Sequence, residues 1–334
     1  ETSELAVGRA LKGNDRERLV VSTKIPSTKD NANDPDLWWS RFEESMRRLD
    51  TPYIDILYLH GLSWQEFTEH ASKPDGALAS ARKAQSQGLV RHISFSSHDQ
   101  PQNVIRLLDT GEFAGVLVQY SMITRDYEPV INRAAELGMG TACMGSLAVG
   151  KLAAPRTYLI KDEEGWLSIP SQEMALRFLW NNPNLTVALS GMRTVQDIDD
   201  NVQATSFATG LADPYNQRVQ NYVLEKWGQS DKYCTLCGKC MPCPQEVNIP
   251  ENFRYRNWQL TWGLEKEAQE AYALFGKPHW VPWSGMVAGQ NAGACNQCGE
   301  CLARCPYEIP IIQQLEETAS ALATTQEEAT SSTK

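Results

Sequence analysis

Residues 53–60 read YIDILYLH, residues 89–97 LVRHISFSS and residues 115–121 GVLVQYS. Each run is short, rich in Val, Ile and Leu, and apolar almost throughout, which is the pattern of a strand buried on both faces. Outward along the chain, LVVSTK (19–24), GMGTACM (138–144) and LTVALSG (185–191) repeat it. Amphipathic helical stretches lie between them: DLWWSRFEESMRRLD before Tyr53, ALASARKAQSQG before Leu89, and the segment from Pro170 to Trp180. The alternation predicts an α/β fold built on a parallel sheet. An open doubly wound sheet and a closed (β/α)8 barrel both fit this rhythm. A GxGxxG after the first strand would favour the open sheet, and the sequence has none.

The chain has 334 residues, 42% hydrophobic and 22% charged, enough for two domains of ordinary globular composition. Its 31 basic and 41 acidic residues leave a net charge of −10, which argues against nucleic acid or an anionic membrane as partner. No apolar run is long enough to span a bilayer, and ETSELAVGRA at the N-terminus lacks the charged-then-apolar order of a signal peptide. A cytoplasmic location without membrane insertion is expected, with export of the folded protein left open.

Eight of the nine cysteines fall in two clusters near the C-terminus, a distribution of metal ligands rather than of disulfides. The first is Cys234-x2-Cys237-x2-Cys240-x2-Cys243-Pro244, the second Cys295-x2-Cys298-x2-Cys301-x3-Cys305-Pro306. The second has the spacing of a bacterial ferredoxin run, in which three thiolates wrap one 4Fe-4S cluster and the cysteine before proline reaches the other. Crossed ligation is therefore expected: Cys234, Cys237, Cys240 and Cys305 hold one cluster, and Cys295, Cys298, Cys301 and Cys243 the other. The first run departs from the standard spacing by one residue, and Cys243 is nonetheless assigned as a ligand. Closed four-thiolate zinc sites are the competing reading, disfavoured because both runs end in Cys-Pro. Cys143 reads as a small buried hydrophobe.

The strand ends carry a resemblance. LVVSTK ending in Lys24, YIDILYLH ending in His60, SFSSH with Ser96 and Ser97, and VQYS with Gln119 resemble, in order and spacing, successive strand ends of the aldo-keto reductase family. SELAVGRAL resembles the segment after the family's catalytic tyrosine, and LSGMRTVQDIDDN its cofactor-binding segment after the last strand. The likeness covers about residues 3–205, and the whole chain resembles the branch with a C-terminal dicluster ferredoxin domain. It implies a TIM-type barrel that reduces carbonyls with NAD(P)H, using a Tyr, a Lys, an Asp and a His. Lys24 would lower the pKa of the tyrosine, and His60 would polarise the substrate carbonyl. Ser96, Ser97 and Gln119 would hold the carboxamide, with Met144 against the nicotinamide ring. Gly145, Ser146, Leu147 and Gly150 would offer backbone donors to the pyrophosphate. Gly191, Met192, Arg193, Asp197, Asp200 and Asn201 would complete the cofactor site, and Asp197, where NADP-binding members place a basic residue, tilts the preference toward NAD(H).

Six strands are visible where such a barrel needs eight, so the first two, with the catalytic Asp and Tyr, are expected before Glu1. The expected organisation is a barrel over 1–205, a linker and helix over 206–230, a small α-rich dicluster domain over 231–316 and a solvated, flexible tail over 317–334. The leading functional expectation is an oxidoreductase acting on a small carbonyl or alcohol and passing electrons through two clusters to a redox protein partner. The alternatives are an electron-transfer or scaffold subunit with a silent barrel, and clusters that only staple the C-terminal domain.

Overall fold

The computed structural model describes residues 2–27, 34–153, 156–206, 213–228, 234, 236–281 and 284–323. The chain forms two compact units that interleave in sequence, the first within 1–119, 127–144 and 184–189, the second within 120–126, 145–183 and 190–334.

In the first unit, strands β1 (Ser22–Pro26), β2 (Ile54–His60), β3 (Val90–Ser96), β4 (Gly115–Gln119), β5 (Gly140–Met144) and a short β8 (Val187–Ala188) form one parallel sheet in the order β1-β2-β3-β4-β5-β8. All six expected strands are present and neighbours in sequence are neighbours in the sheet. β4 is buried along its whole length, as its uninterrupted apolar run requires. The connecting helices are α1 (Thr2–Leu11), α2 (Pro35–Leu49), α3 (Ala77–Ser86), α4 (Pro101–Asp109) and α5 (Glu128–Glu136). In α2, Asp34 caps the N-terminus by accepting from the Leu37 N–H at 2.9 Å, Pro35 opens the first turn, and Trp38, Phe42, Ser45 and Leu49 form the buried stripe.

The N-terminal end of the sheet is pinned by a buried carboxylate. Asp55 accepts from the Val21 N–H at 2.9 Å and pairs with Arg16 at 2.7 Å and Arg91 at 2.9 Å. Burial alone would raise its pKa, and these donors outweigh that and lower it.

The second unit holds an antiparallel hairpin, β6 (Thr157–Asp162) and β7 (Gly165–Pro170), and helices α6 (Ser171–Trp180), α7 (Val195–Ser206) and α8 (Pro214–Gly228). These are followed by α9 (Ile249–Trp262), α10 (Glu265–Tyr272), a second hairpin of β9 (His279–Val281) and β10 (Gly285–Val287), and α11 (Ile311–Leu322). The β6–β7 hairpin was not expected. It packs with α6 and α8, and residues 145–183 cluster with the second unit. The solvated tail expected from residue 317 is also corrected: α11 runs to Leu322 because Ile311, Leu315, Thr318 and Leu322 recur on one helical face and are buried. Residues 324–334 lie outside the described residues.

Candidate functional site

The register of the sheet places the expected barrel residues. Lys24 pairs with Tyr58, Tyr58 with Ser94, Ser96 with Leu117, Leu117 with Ala142, and Gln119 with Met144. Strand residues alternate faces, so Lys24, His60, Ser96, Gln119 and Met144 all project from the same face, at the C-terminal ends of β1 to β5. Met144 packs against the buried cluster of Tyr58, Leu117 and Ala142 on that face.

Repulsion between like charges couples three groups at these ends. Lys24 and His60 are exposed, yet enough protein surrounds Lys24 to lower its pKa. Burial, and then the Lys24 charge, hold His60 below the ordinary histidine value. His98 is lowered by burial and then by His60, so it belongs to the same electrostatic group. His98 was not expected in the site; its position just beyond the serine pair was the available signal, but it lies past the end of β3, where strand periodicity says nothing about direction.

The two serines are committed to the scaffold. The Ser96 hydroxyl accepts from the Gly61 N–H at 3.2 Å, and the Ser97 hydroxyl donates to the Leu62 carbonyl at 2.7 Å while accepting from the Asp99 N–H at 3.1 Å. They tie the turn after β2 to the turn after β3 and so fix where His60 and His98 stand. Gln119 differs. Its side chain is 2% exposed and its Nε2 has no partner among the described residues. A buried amide donor left open costs about 1–3 kcal/mol unless a bound group accepts from it, which fits the carboxamide of a nicotinamide.

The remaining expected cofactor residues lie in the second unit. From Gly145 to Gly150 the chain makes a tight turn closed by Ala148 N–H to Gly145 C=O at 2.7 Å and Gly150 N–H to Leu147 C=O at 3.0 Å, with Ser146 buried. The N–H of Gly150 is therefore occupied. Gly191, Met192 and Arg193 are exposed before α7. Asp197 is the carboxylate of a capping box: its Oδ2 accepts from the N–H groups of Arg193 at 2.8 Å and Thr194 at 3.0 Å, and the Thr194 hydroxyl accepts from the Asp197 N–H at 3.1 Å. Those backbone bonds hold its pKa below the usual carboxylate range. Helix capping thus accounts for Asp197 without a ribose. Asp200 accepts from Gln196 at 2.7 Å, and Asn201 donates to the Ser190 hydroxyl at 3.0 Å.

The cysteines form two separate groups. One small pocket is lined by Cys234, Cys237, Cys240 and Cys305, and a second by Cys243, Cys295, Cys298 and Cys301. The two runs repeat one backbone path: Leu236 and Gln297 both have φ of 61°, Gly238 and Gly299 have φ of 71° and 82°, and Glu246 and Glu308 have φ of 56° and 52°. The left-handed turns aim backbone donors at sulfur, with Leu236 N–H at 3.3 Å from Cys234 Sγ and Gln297 N–H at 3.4 Å from Cys295 Sγ. Burial pushes the Cys234 thiol up to about 12 and Cys240 up to about 11, with neighbouring cysteines adding to the rise. Thiolates so disfavoured persist only where iron or another metal shares their charge. Among the described residues no three His, Cys, Asp or Glu side chains converge as on a single metal ion; a cuboidal cluster instead asks that four cysteines surround a common space. Cys143 is fully buried in β5 and lines neither pocket.

Residues 1–164 match the model of the aldo/keto reductase family, and residues 233–310 match that of a 4Fe-4S dicluster domain. Among curated proteins, "Probable aldo-keto reductase 1" of Glycine max is 28% identical over 156 residues, 44% of this chain and 43% of the relative. The "Uncharacterized oxidoreductase YqkF" of Bacillus subtilis is 20% identical over 252 residues, 67% of this chain and 79% of the relative. The chain thus spans less than half the length of the soybean relative. The holo form of the aldo-keto reductase AKR11C1 from Bacillus halodurans shares the fold, with a TM-score of 0.52 at 24% identity over 65% of this chain and 76% of that one.

Proposed function

We propose, from a chain whose residues 1–164 are of the aldo/keto reductase family and whose residues 233–310 form a 4Fe-4S dicluster domain, an iron-sulfur oxidoreductase that couples nicotinamide-dependent carbonyl or alcohol chemistry to electron transfer through two 4Fe-4S clusters. The observation that carries the reading is the sorting of eight cysteines into two tetrads, each drawing its fourth member from the other run.

On the barrel side, Gln119 offers its buried Nε2 to the carboxamide and Met144 supports the ring face. A bound NAD(P)H supplies hydride, and the clusters carry single electrons. His60, neutral near pH 7 because its pKa is lowered, donates one N–H to a carbonyl oxygen without first giving up a proton. Lys24 places a positive charge beside it where negative charge develops on that oxygen. Gly145 to Leu147 and the segment from Gly191 to Asn201 are proposed for the rest of the cofactor. The proposed substrate is a small carbonyl compound or alcohol, and the proposed electron partner a redox protein.

Iron and acid-labile sulfide, each measured on the anaerobically purified full chain, should approach about eight per chain. Stoichiometric zinc in place of iron would overturn the assignment.

A further inference from the structure

The two cysteine runs differ by one residue. Cys240 and Cys243 are separated by Met241 and Pro242, whereas Cys301 and Cys305 are separated by Leu302, Ala303 and Arg304. The extra residue is not idle. The Arg304 guanidinium donates to the Pro242 carbonyl at 2.7 Å and to Glu300 at 3.1 Å. Pro242 directly precedes Cys243, and Arg304 directly precedes Cys305. One side chain therefore joins the backbones that deliver the two crossing thiolates, each to the opposite tetrad.

The charges around the repeat give that strap a second task. Lys239 and Glu300 occupy matching positions, each between the second and third cysteine of its run. Cys298 and Cys301 thus flank a carboxylate where Cys237 and Cys240 flank an ammonium. A carboxylate beside a cluster disfavours its reduced, more negative form, and a neighbouring cation offsets this. Arg304 pairs with that carboxylate, and no other ion pair of Glu300 is present among the described residues.

We propose that Arg304 is a positioning residue for both clusters: it straps the crossing segments together and, by neutralising Glu300, raises the reduction potential of the cluster held by Cys243, Cys295, Cys298 and Cys301. This rests on the two-cluster reading above. A guanidinium suits the role because it donates in two directions at once while keeping its charge at any working pH. Groups just outside the ligands orient them and tune the centre they hold.

The test uses the full chain as wild type, Arg304→Gln and Arg304→Lys, each assayed for iron content and by redox titration followed by electron paramagnetic resonance. Wild-type protein without iron would sink the two-cluster reading itself, whatever the variants do. With wild type loaded, the expected result is that Arg304→Gln keeps its iron and shows at least one midpoint potential shifted downward, while Arg304→Lys stays close to wild type. Should Arg304→Gln lose iron, retention of iron and of wild-type potentials by Arg304→Lys upholds the proposal. Full iron with unchanged potentials in Arg304→Gln overturns it, as does loss of iron or a matching downward shift in Arg304→Lys.

Discussion

His60 stands at the end of β2 on the face that also carries Lys24, and its pKa is lowered first by burial and then by that lysine's charge. Its folded value lies below the unfolded one, so between the two the unfolded chain binds the proton the folded chain refuses. Stability contributed by a neutral His60 is thus complete above about pH 6.5, the unfolded value, and is lost as pH falls through the folded value. The same depression keeps the imidazole neutral at the pH where it would polarise a carbonyl. Lys24→Met should raise the His60 pKa part of the way back, since burial, the larger cause, remains; His98, lowered in turn by His60, should respond in the same titration. Following both rings by NMR against pH checks this. A His60 resonance indifferent to the substitution would mean that Lys24 does not reach it.

At the scale of elements, crossed ligation makes a sharp expectation about one thiolate. Cys243 belongs to the first run in sequence but lines the cavity of Cys295, Cys298 and Cys301. Cys243→Ser should therefore damage the cluster of the second run and leave that of Cys234, Cys237, Cys240 and Cys305 largely intact, read by iron content and electron paramagnetic resonance of the reduced protein. Damage confined to the first-run cluster would show that each run closes on itself. The cysteines group in the structure as the expected crossing requires, and strands β2 to β5 were legible because most residues on both of their faces are buried. The β6–β7 hairpin was not. Leu159 and Trp166 face solvent at 61% and 67% exposure, while Ile160 and Ile169 point inward, so the segment alternates where the sought pattern was an unbroken apolar run. α11 was half lost for a related reason: Ala, Thr and Ser dominate ETASAL, and only the spacing from Ile311 through Leu322 shows a buried face. Strand ends put Lys24, His60, Gln119 and Met144 on one face of the sheet, as their positions in the sequence imply. Composition could not foretell that Ser96, Ser97 and Asp197 spend their oxygens on turns and a helix cap, since a hydroxyl or carboxylate suits a ligand and a backbone donor equally.

For the whole molecule, the question is how a barrel and a pair of clusters on one chain would exchange electrons. A nicotinamide gives or takes two electrons together as hydride, whereas a 4Fe-4S cluster accepts one, and the one-electron nicotinamide radical between them is high in energy. In the function proposed above, Gln119 and Met144 would orient a nicotinamide for hydride transfer to carbon; nothing about an amide donor or a thioether stabilises a radical. The groups that would hold iron are all thiolates of the second unit, tuned by backbone N–H groups and by charge, and they perform no hydride chemistry of their own. A flavin ordinarily splits the electron pair, and this sequence has no glycine-rich dinucleotide fingerprint to hold one tightly. NADH alone should therefore fail to reduce the clusters at a catalytically useful rate. Electrons should cross only when a flavin or flavoprotein is added, or through a substrate that reacts in single-electron steps. The measurement is anaerobic mixing of flavin-free, iron-loaded protein with NADH while the cluster absorbance is followed, then a repeat with a catalytic amount of free flavin. Slow or absent bleaching in the first mixture and fast bleaching in the second is the expected pair of results, and bleaching within seconds in the first would show that the nicotinamide feeds the clusters directly.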